Sequence, residues 1–434
     1  MSDVKQPSGS SKPAILFLQG PPSVFWCELA NAFEASGIKT TRVNFSLGDQ
    51  LYWRKRGAIN FRRSIRHWPA FLEDLIRREQ ITDILYYADQ LPYHRVASDV
   101  GKRLGVRCHA VEHGYLRPDW LTLERDGMGR HSHFPVEASQ ISAIARRVPA
   151  PDLAVKYQHT FGQEAFNEVL YNLLSYFGRP FFPFYADDKY YSALMDYIPW
   201  VVRAFAPPPQ LPTDELSNGL SPFFLIALQL QSDYQIRANS RFVHLADMLD
   251  EVIGSFARHA DKKATLLIKQ HPLDNGLERW GRRIEEIARR HGVAERVRFF
   301  VHGNLQAILK SAEGVIVVNS TVGIHSLRTL KPTIVLGCAV YDIEGLTHQG
   351  GIDTFWTSPT PVDAALMDDL VTALAATIQV KGNFYNKEGK VAAIKEIVRR
   401  IAAEEVNQPN AFIDPPPRLM WEKGIQPGKR KAMQ

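Results

Sequence analysis

The sequence predicts an α/β protein built from two doubly wound, Rossmann-type domains. Apolar runs alternate with helical segments before residue 150, and the same alternation restarts after residue 220. A proline-rich stretch, FAPPPQLPTDELSNG at 205–219, separates the two halves. Ligands of doubly wound sheets bind at the carboxyl ends of the strands, so we expect a site in a cleft between the domains.

The first half of the chain alternates short apolar runs, which predict strands, with segments of helical periodicity. Strands are predicted within AILFLQG (14–20), KTTRVNFS (39–46), ITDILYYAD (81–89) and VRCHAVEHGY (106–115). Helices are predicted within FWCELANAFEASG (25–37), WPAFLEDLIRRE (68–79) and PYHRVASDVGKRLG (92–105). Residues 150–205 are aromatic-rich and helical in character.

The second half repeats this pattern. Strands are predicted within FFLIALQL (223–230), ATLLIKQ (264–270), RVRFFV (296–301), GVIVVN (314–319) and PTIVLG (332–337). Helices are predicted at about 241–259, 277–291, 305–312, 323–330, 362–379 and 389–404. The resulting boundaries are a disordered N-terminus at 1–12, an N-terminal domain at 13–205, a linker at 206–219, a C-terminal domain at 220–405 and a Pro-rich, basic arm at 406–434.

Composition restricts the class of protein. The 434 residues carry a net charge of +6, which favours anionic partners such as nucleic acid, acidic lipid or phosphorylated substrates. Three separated cysteines, Cys27, Cys108 and Cys338, argue against a disulfide framework and for a reducing compartment. No run approaches the ~18 apolar residues of a spanning helix. We therefore expect a cytoplasmic protein that can touch a membrane without crossing it.

Small polar clusters follow two predicted strands of the second half. Asn319, Ser320 and Thr321 lie between a strand and a helix, where backbone N–H groups and hydroxyls can bind an anion. Simple helix capping is the alternative. Lys269 and His271, in KQHP, follow another strand and can neutralise a phosphate or carboxylate. Each cluster alone fits an ordinary loop, but two clusters at neighbouring strand ends favour a ligand.

Carboxylates and amides follow strands in both halves. Gln229, Gln231 and Asp233 follow a second-half strand, and Glu112 closes a first-half strand. Asp233 fits a helix cap and a carboxylate in the cleft equally well. Two carboxylates on opposite sides of a cleft are what glycosyl transfer through a covalent intermediate requires.

A basic and aromatic stretch occupies residues 48–68, GDQLYWRKRGAINFRRSIRHW. Arginines and lysine interleaved with rings suit an anionic membrane interface, and they also suit single-stranded nucleic acid. A solvated charged loop is the third alternative, although it would leave many rings exposed. Other site classes are disfavoured, because the chain has no CxxC pair, HExxH, GxGxxG after its first strand or P-loop motif. No acidic metal motif of the DxD type is evident, so we expect chemistry without a metal.

Four motifs together resemble the bacterial capsule polysaccharide biosynthesis proteins, and more narrowly the β-Kdo glycosyltransferases that build a Kdo linker on a phospholipid. The motifs are VEHGYLRPDWLTLE (111–124), LQLQSDYQIRANSRF (228–242), IKQHPLDNG (268–276) and NSTVGIHSLRTLKPTIVLG (319–337). The resemblance runs in order from about residue 14 to about residue 360. Each motif occurs once, and the loop at 48–63 is similar to that of the single-module, lipid-priming branch.

The resemblance implies a GT-B-like fold and a retaining transfer from CMP-β-Kdo to a (lyso)phosphatidylglycerol-type acceptor, on the inner face of the cytoplasmic membrane. Asp233 would be the nucleophile and Glu112 the general acid/base. The donor-binding residues would be Gln231, Lys269, His271, Asn319, Ser320 and Thr321. The residues facing the acceptor or the membrane would be Trp53, Arg54, Lys55, Arg56, Arg62, Arg63 and Arg117. Bacterial sialyltransferases carry a second acidic residue where this chain has His113.

The same resemblance implies no cofactor other than the donor substrate. It implies a two-module Kdo transferase and capsule export proteins as partners, and no nucleic acid. Two alternatives from other classes stay open: a transferase that uses CMP-sialic acid or a UDP-sugar, and a non-catalytic, membrane-associated component of capsule export. A nucleic-acid binder would leave the strand-end clusters unexplained.

Overall fold

The computed structural model describes residues 13–192, 195–196 and 222–419. The expected disordered N-terminus at 1–12, the linker at 206–219 and residues 420–434 of the expected C-terminal arm lie outside the described residues. The described chain divides into two compact units, each built around its own sheet.

The strands are β1 (Ala14–Phe17), β2 (Lys39–Asn44), β3 (Ile59–Asn60), β4 (Asp83–Tyr87), β5 (Arg107–His113), β6 (Trp120–Arg125), β7 (Phe223–Ala227), β8 (Thr265–Lys269), β9 (Val297–Phe300), β10 (Gly314–Val317), β11 (Thr333–Val335) and β12 (Gln379–Lys381). The helices are α1 (Phe25–Ala35), α2 (Leu47–Tyr52), α3 (Trp68–Glu79), α4 (Pro92–Leu104), α5 (Ala138–Ala145), α6 (Phe161–Phe177), α7 (Tyr234–Asn239), α8 (Leu245–His259), α9 (Trp280–Arg290), α10 (Leu305–Ser311), α11 (Val322–Arg328), α12 (Ile352–Phe355), α13 (Ala364–Thr377) and α14 (Lys387–Ala402).

The N-terminal unit contains a seven-stranded sheet in the order β12-β6-β5-β4-β1-β2-β3. Strands β1 to β5 pair in parallel, whereas β5 and β6 are antiparallel. From β3 to β6 this is the 3-2-1-4-5-6 order of a Rossmann sheet. Helix α4 lies where the sequence predicts: it begins at Pro92 and ends at Leu104, and Gly105, whose φ of 70° suits a glycine, caps it.

The C-terminal unit contains a five-stranded, wholly parallel sheet in the order β11-β10-β7-β8-β9. This is the same Rossmann order, 3-2-1-4-5, read from the opposite edge. Helix α8 buries one apolar face against the sheet through residues such as Leu249, Val252 and Phe256. The α/β prediction is confirmed in both halves, and the chain therefore has the two Rossmann-type units that a GT-B-like fold contains.

The domain boundaries differ from the expected ones, because both units are discontinuous. The N-terminal unit comprises the chain up to Gly127, then Val155–Asp187 and Val380–Val406, and the C-terminal unit takes the rest. Helix α14, expected in the C-terminal domain, packs instead on α1: Phe384 meets Phe25 edge-to-face at 5.1 Å, and Lys390 pairs with Glu28 at 2.5 Å. Apolar periodicity predicts a helix but not the sheet against which the helix packs. The domain boundaries therefore could not be predicted from local sequence patterns.

Candidate active site

The C-terminal unit has its topological switch point between β7 and β10. From β7 the chain continues to β8 on one side, while β10 lies on the other side. Ligands of parallel α/β sheets bind outside the strand ends at such a point, because the connecting segments diverge there. The predicted polar residues follow β7, β8 and β10, and the carboxyl ends of these three parallel strands lie on the same side of the sheet.

Gln229, two residues beyond β7, holds this point together. Its amide nitrogen donates to Asn319 Oδ1 at 2.8 Å and to Asp233 Oδ2 at 3.2 Å. Its amide oxygen accepts the backbone N–H of Asn319 at 3.2 Å. Because Gln229 is buried, these bonds fix the segments after β7 and β10 relative to one another.

Asp233 caps helix α7, and its carboxylate is half-buried. Oδ1 accepts the backbone N–H of Gln235 at 2.9 Å, and Oδ2 accepts from Gln229. The sequence left a cap and a ligand-facing carboxylate as equal alternatives, and the capping contact is present. A carboxylate held by two donors has a defined orientation, which a nucleophile also requires.

Asn319 ties the end of β10 to helix α7. Its amide nitrogen donates to the carbonyl oxygen of Gln235 at 2.9 Å and to that of Asn239 at 3.4 Å. Asn239 is itself buried, and its Oδ1 accepts the backbone N–H of Arg130 at 2.9 Å. Asn319 therefore lies at the end of β10 as predicted. Its side-chain amide makes hydrogen bonds within the protein.

Lys269, the last residue of β8, is a buried cation with little compensation. Only 6% of the residue is exposed, and Nζ donates to the carbonyl oxygen of Gln270 at 3.4 Å. No carboxylate pairs with it within the part of the chain that the structure describes. Burial lowers the pKa of Lys269. A buried ammonium group is costly without an anionic partner, so this position is suited to bind one.

His271 follows Lys269 after one residue and is half-buried. Its Nδ1 accepts the backbone N–H of Leu273 at 3.1 Å, which assigns the proton of the neutral ring to Nε2. The loop beyond it is pinned by Asp274, which accepts hydrogen bonds from Gln270 Nε2 at 2.6 Å and from Trp280 Nε1 at 3.0 Å. His271 is thus presented on an ordered loop as a donor through Nε2.

Ser320 and Thr321 lie at the start of α11, a helix of seven residues. Ser320 Oγ accepts the backbone N–H of Val322 at 3.2 Å, so the capping alternative holds for this hydroxyl. Thr321 makes no capping bond with its side chain. A Cβ on Gly323 would collide with the ring of Tyr341, whose hydroxyl donates to the carbonyl of Ser320. The close approach at Gly323 is therefore internal packing, not room for a ligand.

Gln231, predicted as a donor-binding residue, is buried and makes internal hydrogen bonds with both ends of its amide. It is 2% exposed, its Nε2 donates to the Val243 carbonyl at 3.1 Å, and its Oε1 accepts the Leu245 N–H at 2.8 Å. Both ends of the amide hold the start of helix α8. Gln229, which the sequence places on the same face, makes the contacts at the switch point instead.

In the N-terminal unit, a half-buried polar cluster surrounds Glu164 on α6. Asn383 accepts two backbone N–H groups through Oδ1, at 2.8 and 3.0 Å, so its Nδ2 faces His159 Nδ1 at 2.8 Å. His159 Nδ1 is therefore an acceptor, and Nε2 carries the proton that is donated to Glu164 at 2.7 Å. This chain of contacts fixes the tautomer of His159 and the orientation of the carboxylate.

The last two residues of β5, Glu112 and His113, lie beside this cluster. His113 Nε2 is 3.4 Å from Glu164 Oε1. Burial and the nearby charge of Arg117 lower the pKa of His113 to about 4, so the ring is neutral near pH 7. Burial, and then the charge of Glu112, raises the pKa of Tyr87. The sequence predicted Glu112 here but missed Glu164, which has no motif around it.

The rings of the 48–68 stretch are buried, although a membrane or nucleic-acid interface would need them at the surface. Trp53 is 7% exposed and packs at 5.7 Å from Phe17, and Tyr52, Phe61 and Trp68 are also buried. Trp53 is therefore a core residue and is not available to a membrane. Lys55 pairs with Glu34 at 2.6 Å. The stretch exposes its cations instead, namely Arg54, Arg56, Arg62, Arg63 and Arg66.

Arg117 is exposed in the segment between β5 and β6, where its charge acts on His113.

In the described ranges, no three His, Cys, Asp or Glu side chains are grouped so that they could hold a metal ion. Among those same residues, no helix is both long and apolar enough to span a bilayer.

Comparison with known proteins decides the family. Residues 82–385 match the family described as "Capsule polysaccharide biosynthesis protein", which is more than half of the chain. The chain belongs to the capsule polysaccharide biosynthesis proteins. The resemblance inferred from the four motifs is thereby confirmed, and the chain has a role in making or modifying capsular polysaccharide.

Two relatives align over most of their length. The "Capsule polysaccharide export protein KpsS" of Escherichia coli is 30% identical over 380 residues, which cover 85% of this chain and 96% of that protein. The "Capsule polysaccharide modification protein LipB" of Neisseria meningitidis is 29% identical, covering 86% of this chain and 92% of that protein. Among solved structures, the Thermosulfurimonas dismutans KpsC β-Kdo 2,7 transferase is similar with a TM-score of 0.43 and 14% identity, over 88% of this chain and 98% of that one.

Proposed function

We propose that this protein is a retaining β-Kdo glycosyltransferase. It transfers Kdo from CMP-β-Kdo to a (lyso)phosphatidylglycerol-type lipid and so primes the poly-Kdo linker of a capsular polysaccharide. Membership of the capsule family supports the biological role. The choice of donor, acceptor and stereochemistry is the proposal, and it starts from the C-terminal switch point.

Lys269 is the observation that carries the proposal. A cation that is 6% exposed, with one long hydrogen bond and no described carboxylate partner, is suited to an anion that arrives from solution. A CMP-activated acidic sugar brings two anions, the phosphate and the sugar carboxylate. The Lys269 ammonium would compensate one of these charges, the Nε2–H of His271 would donate a hydrogen bond, and Thr321 would add a hydroxyl.

Asp233 would act as the nucleophile. Its carboxylate oxygen forms a bond to the anomeric carbon while the bond between that carbon and the phosphate oxygen breaks, and CMP leaves with the electron pair. Gln229 and the backbone N–H of Gln235 aim the carboxylate. Lys269 and His271 would stabilise the charge that develops on the departing phosphate, so no metal is needed for that role.

Glu112 would act as the general base in the second step. An acceptor hydroxyl attacks the anomeric carbon, the ester bond to Asp233 breaks, and the hydroxyl proton passes to Glu112. Two inversions at one carbon give net retention. His113 lies next to this carboxylate, is kept neutral by burial and by the charge of Arg117, faces Glu164 at 3.4 Å, and would hold the acceptor hydroxyl.

The proposed acceptor implies where in the cell the enzyme works. A phospholipid acceptor puts the enzyme on the inner face of the cytoplasmic membrane as a peripheral protein. A two-module Kdo transferase that extends the primer and the capsule export proteins are the proposed partners. Within the described part of the chain, the exposed arginines of the 54–66 region have no carboxylate partner, which supports an anionic lipid as acceptor.

The test is intact-protein mass spectrometry after incubation with CMP-Kdo, made in situ, and a lyso-phosphatidylglycerol analogue. The wild type should yield acceptor that is heavier by one Kdo and a transient protein adduct. Asp233→Asn should lose the adduct and lower turnover about 10³-fold or more, as is usual for loss of a nucleophile.

Asp247→Asn is the matched control, because Asp247 is an exposed carboxylate in the first turn of the neighbouring helix α8. It should turn over as the wild type does. Normal turnover by folded Asp233→Asn protein would contradict the assignment of the nucleophile. Transfer from a UDP-sugar or CMP-sialic acid, but not from CMP-Kdo, would identify a transferase with another donor. No product from any donor would favour a non-catalytic export component.

A further inference from the structure

The segment from α6 to residue 184 exposes more large apolar side chains than its surroundings. Phe177, Phe181 and Phe184 are 62%, 60% and 58% exposed, and Phe161 and Phe166 on α6 are 56% and 67% exposed. Single exposed apolar residues are ordinary, but a set of phenylalanines within 24 residues is not. Such a set marks a surface that another body covers.

The rings project from a fixed turn. The backbone N–H of Phe181 donates to the Gly178 carbonyl at 2.9 Å, and Phe182 between the exposed rings is itself 1% exposed. The backbone N–H of Ala186 donates to Tyr93 Oη at 3.1 Å. The turn is thus anchored to the core, so Phe181 and Phe184 cannot fold inward without breaking these contacts.

Unpaired cations border this turn. The guanidinium of Arg62 lies 5.6 Å from the centroid of the Phe182 ring, so the basic stretch contacts the turn that carries Phe181 and Phe184. Arg62 and Arg63 follow Phe61, whose ring is 6.1 Å from that of Tyr93. Tyr93 therefore contacts both the basic stretch and the segment that carries the exposed rings. Over the described residues, neither Arg62 nor Arg63 pairs with a carboxylate.

We propose that Phe177, Phe181, Phe184, Arg62 and Arg63 form a surface, the Phe–Arg surface, that docks on an anionic lipid bilayer. Rings at the level of the headgroups and arginines against lipid phosphates are the combination that an anionic interface stabilises. The unpaired positive charge is what selects this occupant. The inference rests on the proposed function in one respect, since docking would bring the transferase to its lipid acceptor.

The test is flotation of the full chain with vesicles of phosphatidylcholine, with and without phosphatidylglycerol. The wild type should float with the anionic vesicles and do so less as salt rises. Phe181→Ser/Phe184→Ser should weaken binding about tenfold or more, because two rings are withdrawn from the bilayer. Arg62→Ser/Arg63→Ser should weaken binding and reduce its salt dependence.

Two controls match these variants. Val391→Ser removes an apolar side chain that is 63% exposed on α14 of the same unit, and Arg77→Ser/Arg78→Ser removes exposed arginines that pair with carboxylates on α3. Both should bind as the wild type does. Thermal unfolding should show that every variant is folded.

Wild-type binding to no vesicle, or unchanged binding by the phenylalanine variant, would overturn the proposal. If that variant instead converted an oligomer to a monomer, a second copy of the chain would be the occupant. Failure of the proposed function is distinguishable, because vesicle binding does not depend on transfer. Conversely, an active enzyme with a wrong docking assignment would still glycosylate a water-soluble acceptor in a glycerol phosphate form.

Discussion

Gln229 and Asn319 are joined by two hydrogen bonds, one from Nε2 to Oδ1 at 2.8 Å and one from the backbone N–H to Oε1 at 3.2 Å. This pair closes the switch point between β7 and β10, and the same Gln229 amide also reaches Asp233. One glutamine therefore transmits the geometry of the sheet to the carboxylate that we propose as the nucleophile.

Replacing Gln229 should lower the turnover of the folded protein. In Gln229→Leu the Asp233 carboxylate loses the hydrogen bond from the Gln229 amide, and we expect kcat to fall about tenfold to a hundredfold, since one donor to a charged group contributes ~1.5–3 kcal/mol. Gln231→Leu is the matched control. It should reduce the thermal midpoint by releasing the start of α8, while leaving kcat of the folded protein close to normal. Equal kinetic effects of the two variants would contradict this division of roles.

Lys269→Met should abolish tight donor binding without unfolding the protein. The substitution removes a buried charge that has no described counter-ion, so the thermal midpoint should stay the same or rise. The dissociation constant for CMP should rise about tenfold to a hundredfold, measured by calorimetry. Lys262→Met, at an exposed position, should change neither quantity.

The same lysine predicts a pH dependence of donor affinity. The protonated ammonium binds the anion, and burial lowers the pKa of Lys269. Affinity for CMP should therefore decline as the pH rises through this lowered pKa, at a lower pH than for an ordinary lysine. Lys269→Met should lose that alkaline decline. A decline that persists in the variant would assign the titration to another group.

Breaking the buried ion pair of the N-terminal unit should be strongly destabilising. Arg42 Nη2 lies 3.2 Å from Asp49 Oδ1, and both side chains are almost fully buried. Asp49→Ala leaves the guanidinium uncompensated, and we expect a loss of ~3–5 kcal/mol in the free energy of unfolding. Asp74→Ala, which removes the exposed partner of Arg78, should have little effect in the same urea titration.

Acidification should weaken the N-terminal unit through His94. This residue is fully buried, its Nδ1 donates to the Ala88 carbonyl at 2.8 Å, and burial lowers its pKa to about 4. The unfolded chain has an ordinary histidine pKa of about 6.5, so between these two values it binds more protons than the folded protein. The free energy of unfolding should fall as the pH drops through this window and gain nothing above it.

His94→Gln should reduce that slope, and His113 should supply a remaining part in the same direction, because its pKa is also lowered to about 4. The measurement is urea unfolding at about pH 7 and about pH 5, comparing differences rather than absolute stabilities. His67→Gln, at an exposed position, is the control. An unchanged slope in His94→Gln would show that other groups carry the acid sensitivity.

Local pattern was sufficient for most elements of the fold. Helix α3 was predicted at its observed bounds, because it combines apolar periodicity with a Pro in its first turn and ends at Gln80, whose φ of 54° closes the helix. The short helix α7 and the antiparallel strand β6 were missed. Six residues hold less than two helical turns, and β6 owes its state to pairing with β5 rather than to alternation of its own.

The site was predicted in part. Lys269, His271 and Asp233 follow their strands as expected, since a parallel sheet brings successive strand ends to one edge. The burial of Gln231 and Trp53 was not predicted, because a sequence does not show which side of a loop faces the core. Gln229 and Gln231 alternate along one segment, and only the tertiary hydrogen bonds distinguish the residue at the switch point from the one that holds α8.

The discontinuity of the N-terminal unit affects how the chain is made. Helix α14 covers α1, yet the ribosome synthesises it only after the whole stretch of the C-terminal unit between Asp188 and Gln379. At a synthesis rate of about 5–20 residues per second, helix α14 emerges tens of seconds after β1 to β6 have been made. During that interval the part of α1 around Phe25 lacks the ring of Phe384 that packs on it, so the nascent chain exposes apolar surface that the finished protein buries.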